Sequence, residues 1–218
     1  MKEEKVSIPS NGVHLEGLLS IHEAFRFGKG LFVACHPHPL YGGEMRNPVV
    51  EAAVQAAHEE GFSTLRFNFR GVGESEGDYD EGRGEREDVV AAVDFLWERQ
   101  RGPESPLVLM GYSFGAWVGA PVALEDGRIQ GLIAVAPPLA MYDFGFFQAC
   151  QKKKLIIVGD QDPYCPLEKL RAWFDGLEEP KVLRLLKGAD HFLLSQGREI
   201  IPSVRQFLRE FFLSCLGC

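Results

Sequence analysis

Two segments of this chain, GLFVAC (30–35) and PLVLMGY (106–112), are apolar throughout. Each has the length of a strand, and a strand with no polar face must be covered above and below. Helical patterns able to supply that cover lie between strand-like segments. NPVVEAAVQAAHEEG (47–61) has Asn47 as N-cap, Pro48 at the first helical position and Gly61 past the end. Val89, Val93, Leu96 and Trp97 mark one helical face, closed by Gly102-Pro103. GAWVGAPVAL (115–124) reads as a buried helix that Pro121 is expected to kink. A shorter helix is expected around Leu167 to Phe174, and Val204, Phe207, Leu208, Phe211 and Phe212 form a stripe that docks the C-terminal helix.

FSTLRFNF (62–69), IQGLIAVA (129–136), KKLIIVG (153–159) and KVLRLLKG (181–188) read as further strands. The opening segments KVSIP and VHLEGLLSI meet at the turn signal Ser10-Asn11-Gly12, which predicts an antiparallel hairpin. This alternation predicts an α/β fold with a mostly parallel, twisted sheet and helices on both faces. With no repeat or linker composition in its 218 residues, the chain is expected to form a single domain, 1–218.

The net charge of −8 argues against nucleic acid as a partner, because phosphate binding needs a concentrated basic face. The densest charge run, GDYDEGRGERED (77–88), reads as a solvated loop. No apolar run reaches the length of a membrane span, and the first residues lack a signal-peptide core. Five irregularly spaced cysteines (35, 150, 165, 215, 218) fit free thiols in a reducing cytoplasm, although Cys215 and Cys218 have the spacing of a late disulfide. The expectation is a cytoplasmic protein that does not bind membranes; its oligomeric state is left open.

In parallel α/β sheets, reactive groups collect beyond the C-terminal ends of the strands. The segment MGYSFGA (110–116) places Gly111-Tyr112-Ser113-Phe114-Gly115, a G-x-S-x-G pattern, between an apolar strand and a small-residue helix. Such a turn holds its serine in a strained conformation with the hydroxyl projecting from the sheet, and side chains two positions to either side would collide. A serine needs a base, and the base needs an orienting group. His191 follows the last strand, and both Asp160 and Asp162 follow the strand before it. His14, His22 and His58 sit where structural or surface roles are expected.

The stretch CHPHPLYGGEMRN (35–47) follows the apolar strand 30–35. His36 and His38, two apart on an extended chain, are compatible with chelation, yet no third ligand is evident. The Gly-Gly pair lacks the Lys and Ser/Thr of a nucleotide loop. No metal or cofactor is therefore expected. Pro37 and Pro39 have no N–H, so only His38 and Leu40 can offer an early backbone donor to a tetrahedral oxyanion, beside the N–H of Phe114 that follows the serine.

From Gly30 onward the chain resembles the α/β-hydrolases, close to their small carboxylesterase and dienelactone-hydrolase-like branch, and HPHPLYGGEMRN resembles a signature of one subgroup. In that fold the acid commonly lies three residues after the glycine that ends its strand, which selects Asp162 over Asp160. The resemblance to the His-Gly-x-Pro loop puts His38 at the oxyanion position, with Leu40 as fallback. RFNFRGVGESEG (66–77) resembles a structural turn of these enzymes, so Arg70, Glu74 and Ser75 are expected to be scaffold. The implied activity is a serine carboxylesterase with the triad Ser113, His191 and Asp162, an oxyanion hole from His38 and Phe114, and a substrate site lined by Leu40, Tyr41 and Tyr112. Its expected partner is a small-molecule ester. A serine at the elbow differs from the aspartate of haloalkane dehalogenases and the usual cysteine of dienelactone hydrolases. A thioesterase, a peptidase or a binding protein on the same scaffold also fits these motifs. Only sixteen residues, Pro137 to Lys152, stand where lids are usually inserted, so MYDFGFF (141–147) is expected to form an aromatic wall without a full cap domain.

Overall fold

The computed structural model describes residues 2–22, 29–99, 105–193 and 197–216. They form one eight-stranded sheet and five α-helices: β1 (Glu4–Ser10), β2 (Val13–Ser20), β3 (Gly30–Cys35), α1 (Pro48–Glu59), β4 (Phe62–Phe67), α2 (Arg83–Arg99), β5 (Leu107–Tyr112), α3 (Phe114–Glu125), β6 (Ile129–Val135), β7 (Lys153–Gly159), α4 (Leu167–Asp175), β8 (Lys181–Leu186) and α5 (Ile200–Leu216). The strand order is β1-β2-β4-β3-β5-β6-β7-β8. β1 and β2 form the expected antiparallel hairpin and β2 runs antiparallel to β4; every later pairing is parallel.

Strands β3 to β5 are buried at every residue because helices cover both sheet faces. One face packs against α2, α3 and Leu170 of α4, and the other against α1 and α5. The predicted stripe of α5 docks as expected at Val204, Phe207, Leu208 and Phe211, while Phe212 stays partly exposed. The Asn47 side chain accepts the Val49 N–H at the start of α1, and α3 runs on through Pro121. Gly102-Pro103 and Cys218 lie outside the described residues.

The charge run 77–88 departs from its reading as a solvated loop. Its second half opens α2, and both Glu85 and Asp88 are fully buried. Glu85 accepts the Asp80 and Gly82 N–H groups at the start of this helix. Asp88 accepts from Ser10 Oγ at 2.8 Å, from the Arg70 amide at 2.9 Å and from Arg70 Nη2 at 2.8 Å. A buried carboxylate survives without water only with several such donors, and sequence spacing alone did not reveal them.

The sheet reverses its strand order between β3 and β5. From β3 the chain passes through α1 to β4 on one side, while β5 lies on the other and pairs Cys35 with Gly111. The loops leaving these two strands therefore part, opening a crevice at their C-terminal ends.

Candidate active site

Ser113 occupies the turn between β5 and α3 with φ 53° and ψ −113°, a conformation that non-glycine residues rarely adopt. The glycines on either side permit it for different reasons. A Cβ on Gly111 would strike the backbone of Gly115 and Ala116 across the turn, the predicted collision. A Cβ on Gly115 would instead lie 2.5 Å from the Cys35 carbonyl oxygen and 2.6 Å from that of His36. Gly115 thus lets the serine turn approach the backbone that leaves β3.

Three residues from separate connections meet here. Ser113 Oγ lies 2.9 Å from His191 Nε2, and His191 Nδ1 lies 2.8 Å from Asp162 Oδ2. The carboxylate can only accept, so Nδ1 carries the proton and Nε2 is left to accept from the serine hydroxyl. Asp162 is itself fixed, its Oδ1 accepting the Tyr164 N–H at 2.8 Å and the Cys165 N–H at 3.1 Å. Asp160, the other candidate acid, accepts the Gly188 N–H at 2.7 Å and braces the turn after β8 away from His191. The Tyr112 hydroxyl donates to the His191 carbonyl at 2.9 Å. Burial, followed by the nearby Asp162 and Asp190 charges, pushes that phenol upward, so it remains a donor. Tyr112 borders the cleft, but its polar group is committed to holding the histidine loop.

The loop after β3 is organised by its own histidines. His36 is fully buried and does not line an entrance. Its Nδ1–H donates to the Pro37 carbonyl at 2.6 Å, and its Nε2 accepts the Phe69 N–H at 3.0 Å. Nδ1 thereby braces the loop itself and Nε2 fastens it to the segment leaving β4, and burial pushes the imidazole down to about 4. Had FSTLRFNF remained a strand to residue 69, the Phe69 amide would belong to the sheet; β4 ends at Phe67 and frees it. The same turn is held by Ser75, whose hydroxyl donates to the Asn68 carbonyl and accepts the Glu16 N–H.

His38 Nδ1 accepts the Leu40 N–H at 3.2 Å, leaving Nε2–H to face the Tyr79 hydroxyl at 3.3 Å. The carbonyl of His38 accepts from Tyr41 and Gly43. Leu40 is therefore excluded as the fallback donor: its amide is engaged within the loop, and its 65% exposed side chain lies outside the cleft wall. The backbone amides of His38 and Phe114 have no hydrogen-bond partner among the described residues, and both residues line the cleft beside Ser113.

That cleft has a volume of about 450 Å³ and is walled by Tyr41, Phe114, Met141, Tyr142, Tyr164 and Phe192 around the serine. Of the expected aromatic wall in 141–147, only Met141 and Tyr142 reach it. Phe144 and Phe147 turn into the core against Trp173 of α4, so this connection anchors itself in the core and does not cover the site. Among the described residues no helix is long and apolar enough to cross a membrane.

Comparison with known proteins adds the following. The family model described as an alpha/beta hydrolase domain matches residues 37–201. An uncharacterized protein of Rickettsia prowazekii (strain Madrid E) is 34% identical over 181 residues, covering 79% of this chain and 76% of its own length. The structure of an alpha-beta serine hydrolase homologue from Coxiella burnetii is similar with a TM-score of 0.84 and 34% identity, over 94% of this chain and 97% of that one. A serine hydrolase without a lid from Xanthomonas campestris gives a TM-score of 0.85 at 28% identity, over 97% of this chain and 95% of the other.

Proposed function

The chain belongs to the alpha/beta hydrolase family, and from that premise we propose that it is a carboxylesterase-type serine hydrolase acting on small carboxylic esters. The observation that carries this reading is the continuous chain of hydrogen bonds from Asp162 through His191 to Ser113, in a cleft also lined by His38 and Phe114, whose backbone amides have no hydrogen-bond partner among the described residues.

Ser113 Oγ attacks the ester carbonyl carbon while its proton passes to His191 Nε2. Asp162 holds the Nδ1–H tautomer and stabilises the imidazolium that forms. The carbonyl oxygen becomes an oxyanion and accepts from the His38 and Phe114 N–H groups, each worth about 2.7–4 kcal/mol in the transition state. The N-terminus of α3 adds its dipole to the same point. His191 then protonates the alcohol oxygen, the C–O bond breaks and the acyl group remains on Ser113. Water attacks this acyl-enzyme, gives its proton to His191 and releases the acid as the proton returns to Ser113.

The size of the cleft and the course of the Pro137–Lys152 connection support short substrates reaching an open site without interfacial activation. The buried free thiols of Cys35, Cys150 and Cys165 accord with a reducing compartment, and we place the activity in the cytoplasm. The reading is tested by fluorophosphonate labelling and by a panel of p-nitrophenyl esters. Ser113 is expected to be labelled in the wild type and not in His191→Ala, with the highest kcat/KM on short acyl chains. Undiminished labelling in His191→Ala refutes the triad, and a preference for acyl chains beyond about ten carbons refutes the open small-ester site.

A further inference from the structure

A departing alcohol must lie beside the Nε2 edge of His191, because that nitrogen returns the proton. Two rings that line the cleft pack on that imidazole. Tyr164 is T-shaped to the imidazole, with centroids 4.8 Å apart, and Phe192 meets it at 5.6 Å and 85°. Tyr164 and Phe192 are themselves 6.5 Å apart at 86°. Both remain open to solvent at the edge of the cleft, Phe192 at 54% and Tyr164 at 37% exposure, and so are accessible to a bound ligand. Resting on the serine-hydrolase reading above, we infer that the leaving-group side of this cleft is a binding site for an uncharged aromatic alcohol, held between Tyr164 and Phe192.

Geometry favours a ring over a flexible alkyl group. Two rings at right angles offer one face and one edge, so a third ring can stack on one while meeting the other edge-on. The backbone that carries both rings is held by hydrogen bonds. The Tyr164 amide donates to Asp162 Oδ1 and its carbonyl accepts the Ala140 N–H at 2.9 Å, while the Phe192 amide donates to Asp190 Oδ1 at 3.0 Å.

Charge sets the second half of the specificity. Among the described residues lining the cleft there is no Asp, Glu, Lys or Arg, so a charged alcohol would find no counter-ion there. Asp190, exposed at the base of the Phe192 turn, adds a negative charge on this side, and the whole chain carries −8. An alcohol or thiol bearing phosphate or carboxylate is opposed on both scales.

The test compares benzyl acetate with methyl acetate, whose alcohols are of similar acidity, so the ratio of their kcat/KM values reports binding rather than leaving-group chemistry. Cyclohexylmethyl acetate separates aromatic from merely apolar recognition, and 4-carboxybenzyl acetate reports charge. Wild-type enzyme is expected to prefer benzyl over all three. Phe192→Ala and the apolar control Phe192→Leu are expected to lower the benzyl-to-methyl ratio by about 3- to 10-fold, the worth of one or two aromatic contacts. The ratio of methyl benzoate to methyl acetate, which reports the acyl side, is expected to hold within about twofold. A benzyl-to-methyl ratio unmoved by both variants, an equal fall in the acyl ratio, or faster turnover of the carboxybenzyl ester overturns the inference. Fluorophosphonate labelling of the same samples separates the two levels. A labelled Ser113 with an unmoved ratio defeats the aromatic site alone, whereas an unlabelled Ser113 defeats the hydrolase reading with it.

Discussion

Replacing His36 with leucine tests whether the loop after β3 is held by a buried imidazole. Leucine fills a similar volume, so the cost is mainly that of two hydrogen bonds. The buried Phe69 N–H loses its acceptor, an unsatisfied donor costing about 1–3 kcal/mol, and the Pro37 carbonyl loses a donor worth about 1 kcal/mol. The edge contact between the imidazole and the Phe69 ring, 4.6 Å between centroids, adds about 0.5–1.5 kcal/mol, part of which leucine restores. His36→Leu is therefore expected to be about 2–4 kcal/mol less stable at pH 7 by urea unfolding. Acid supplies an independent reading of the same site. Burial holds the folded imidazole at about 4, below its ordinary 6.5, so the unfolded chain binds the proton first. The stabilising contribution is complete above about pH 6.5 and is lost as pH falls toward 4, removing up to about 3 kcal/mol from the wild type. Leucine binds no proton, so the stability gap between the two proteins is expected to narrow as pH falls from 7 to 4.5. Parallel stability–pH curves, or equal stability at pH 7, refute the assignment of His36 as a neutral buried fastener.

Asp162→Asn is expected to lower ester kcat by about 10⁴-fold with little change in KM, because its amide favours the wrong tautomer of His191; steady-state kinetics decide it. Gly115→Ala forces a Cβ onto the Cys35 and His36 carbonyl oxygens and is expected to cost about 3 kcal/mol or more in urea unfolding, together with esterase activity. Asp88→Ala leaves Arg70 paired with Glu87 alone and takes the acceptor from the Arg70 amide and the Ser10 hydroxyl, and is expected to cost about 3–5 kcal/mol, measured by urea unfolding at pH 7.

What could be read from one dimension is what depends on local periodicity and steric need. Apolar runs such as GLFVAC and PLVLMGY require burial on two faces whatever their neighbours are, so the layered α/β architecture followed from them. The serine between Gly111 and Gly115 was legible because so sharp a turn excludes a side chain at Gly111, whereas the contact that requires Gly115, with the Cys35 and His36 carbonyls, belongs to the tertiary structure. Asp162 was reached through resemblance, since two aspartates leave the same strand and periodicity does not rank them.

Only the tertiary structure decided which polar groups meet. Asp162 faces His191 while Asp160 braces the turn after β8 through the Gly188 N–H, a division set by contacts between the segments that follow β7 and β8. Asp88 looked like one charge in a solvated run; its donors are the Ser10 hydroxyl in the hairpin and the amide and guanidinium of Arg70, which no local pattern joins to it. The loop around His38 shows the division most sharply. Two prolines limited the early donors to His38 and Leu40, a rule of covalent chemistry visible in the sequence. Resemblance put His38 first, and only the structure shows that the His38 ring folds back onto the Leu40 amide, while His36 reaches 33 residues along the chain to Phe69. Bonds across such distances are set by how layers pack, and packing is a property of the assembled chain.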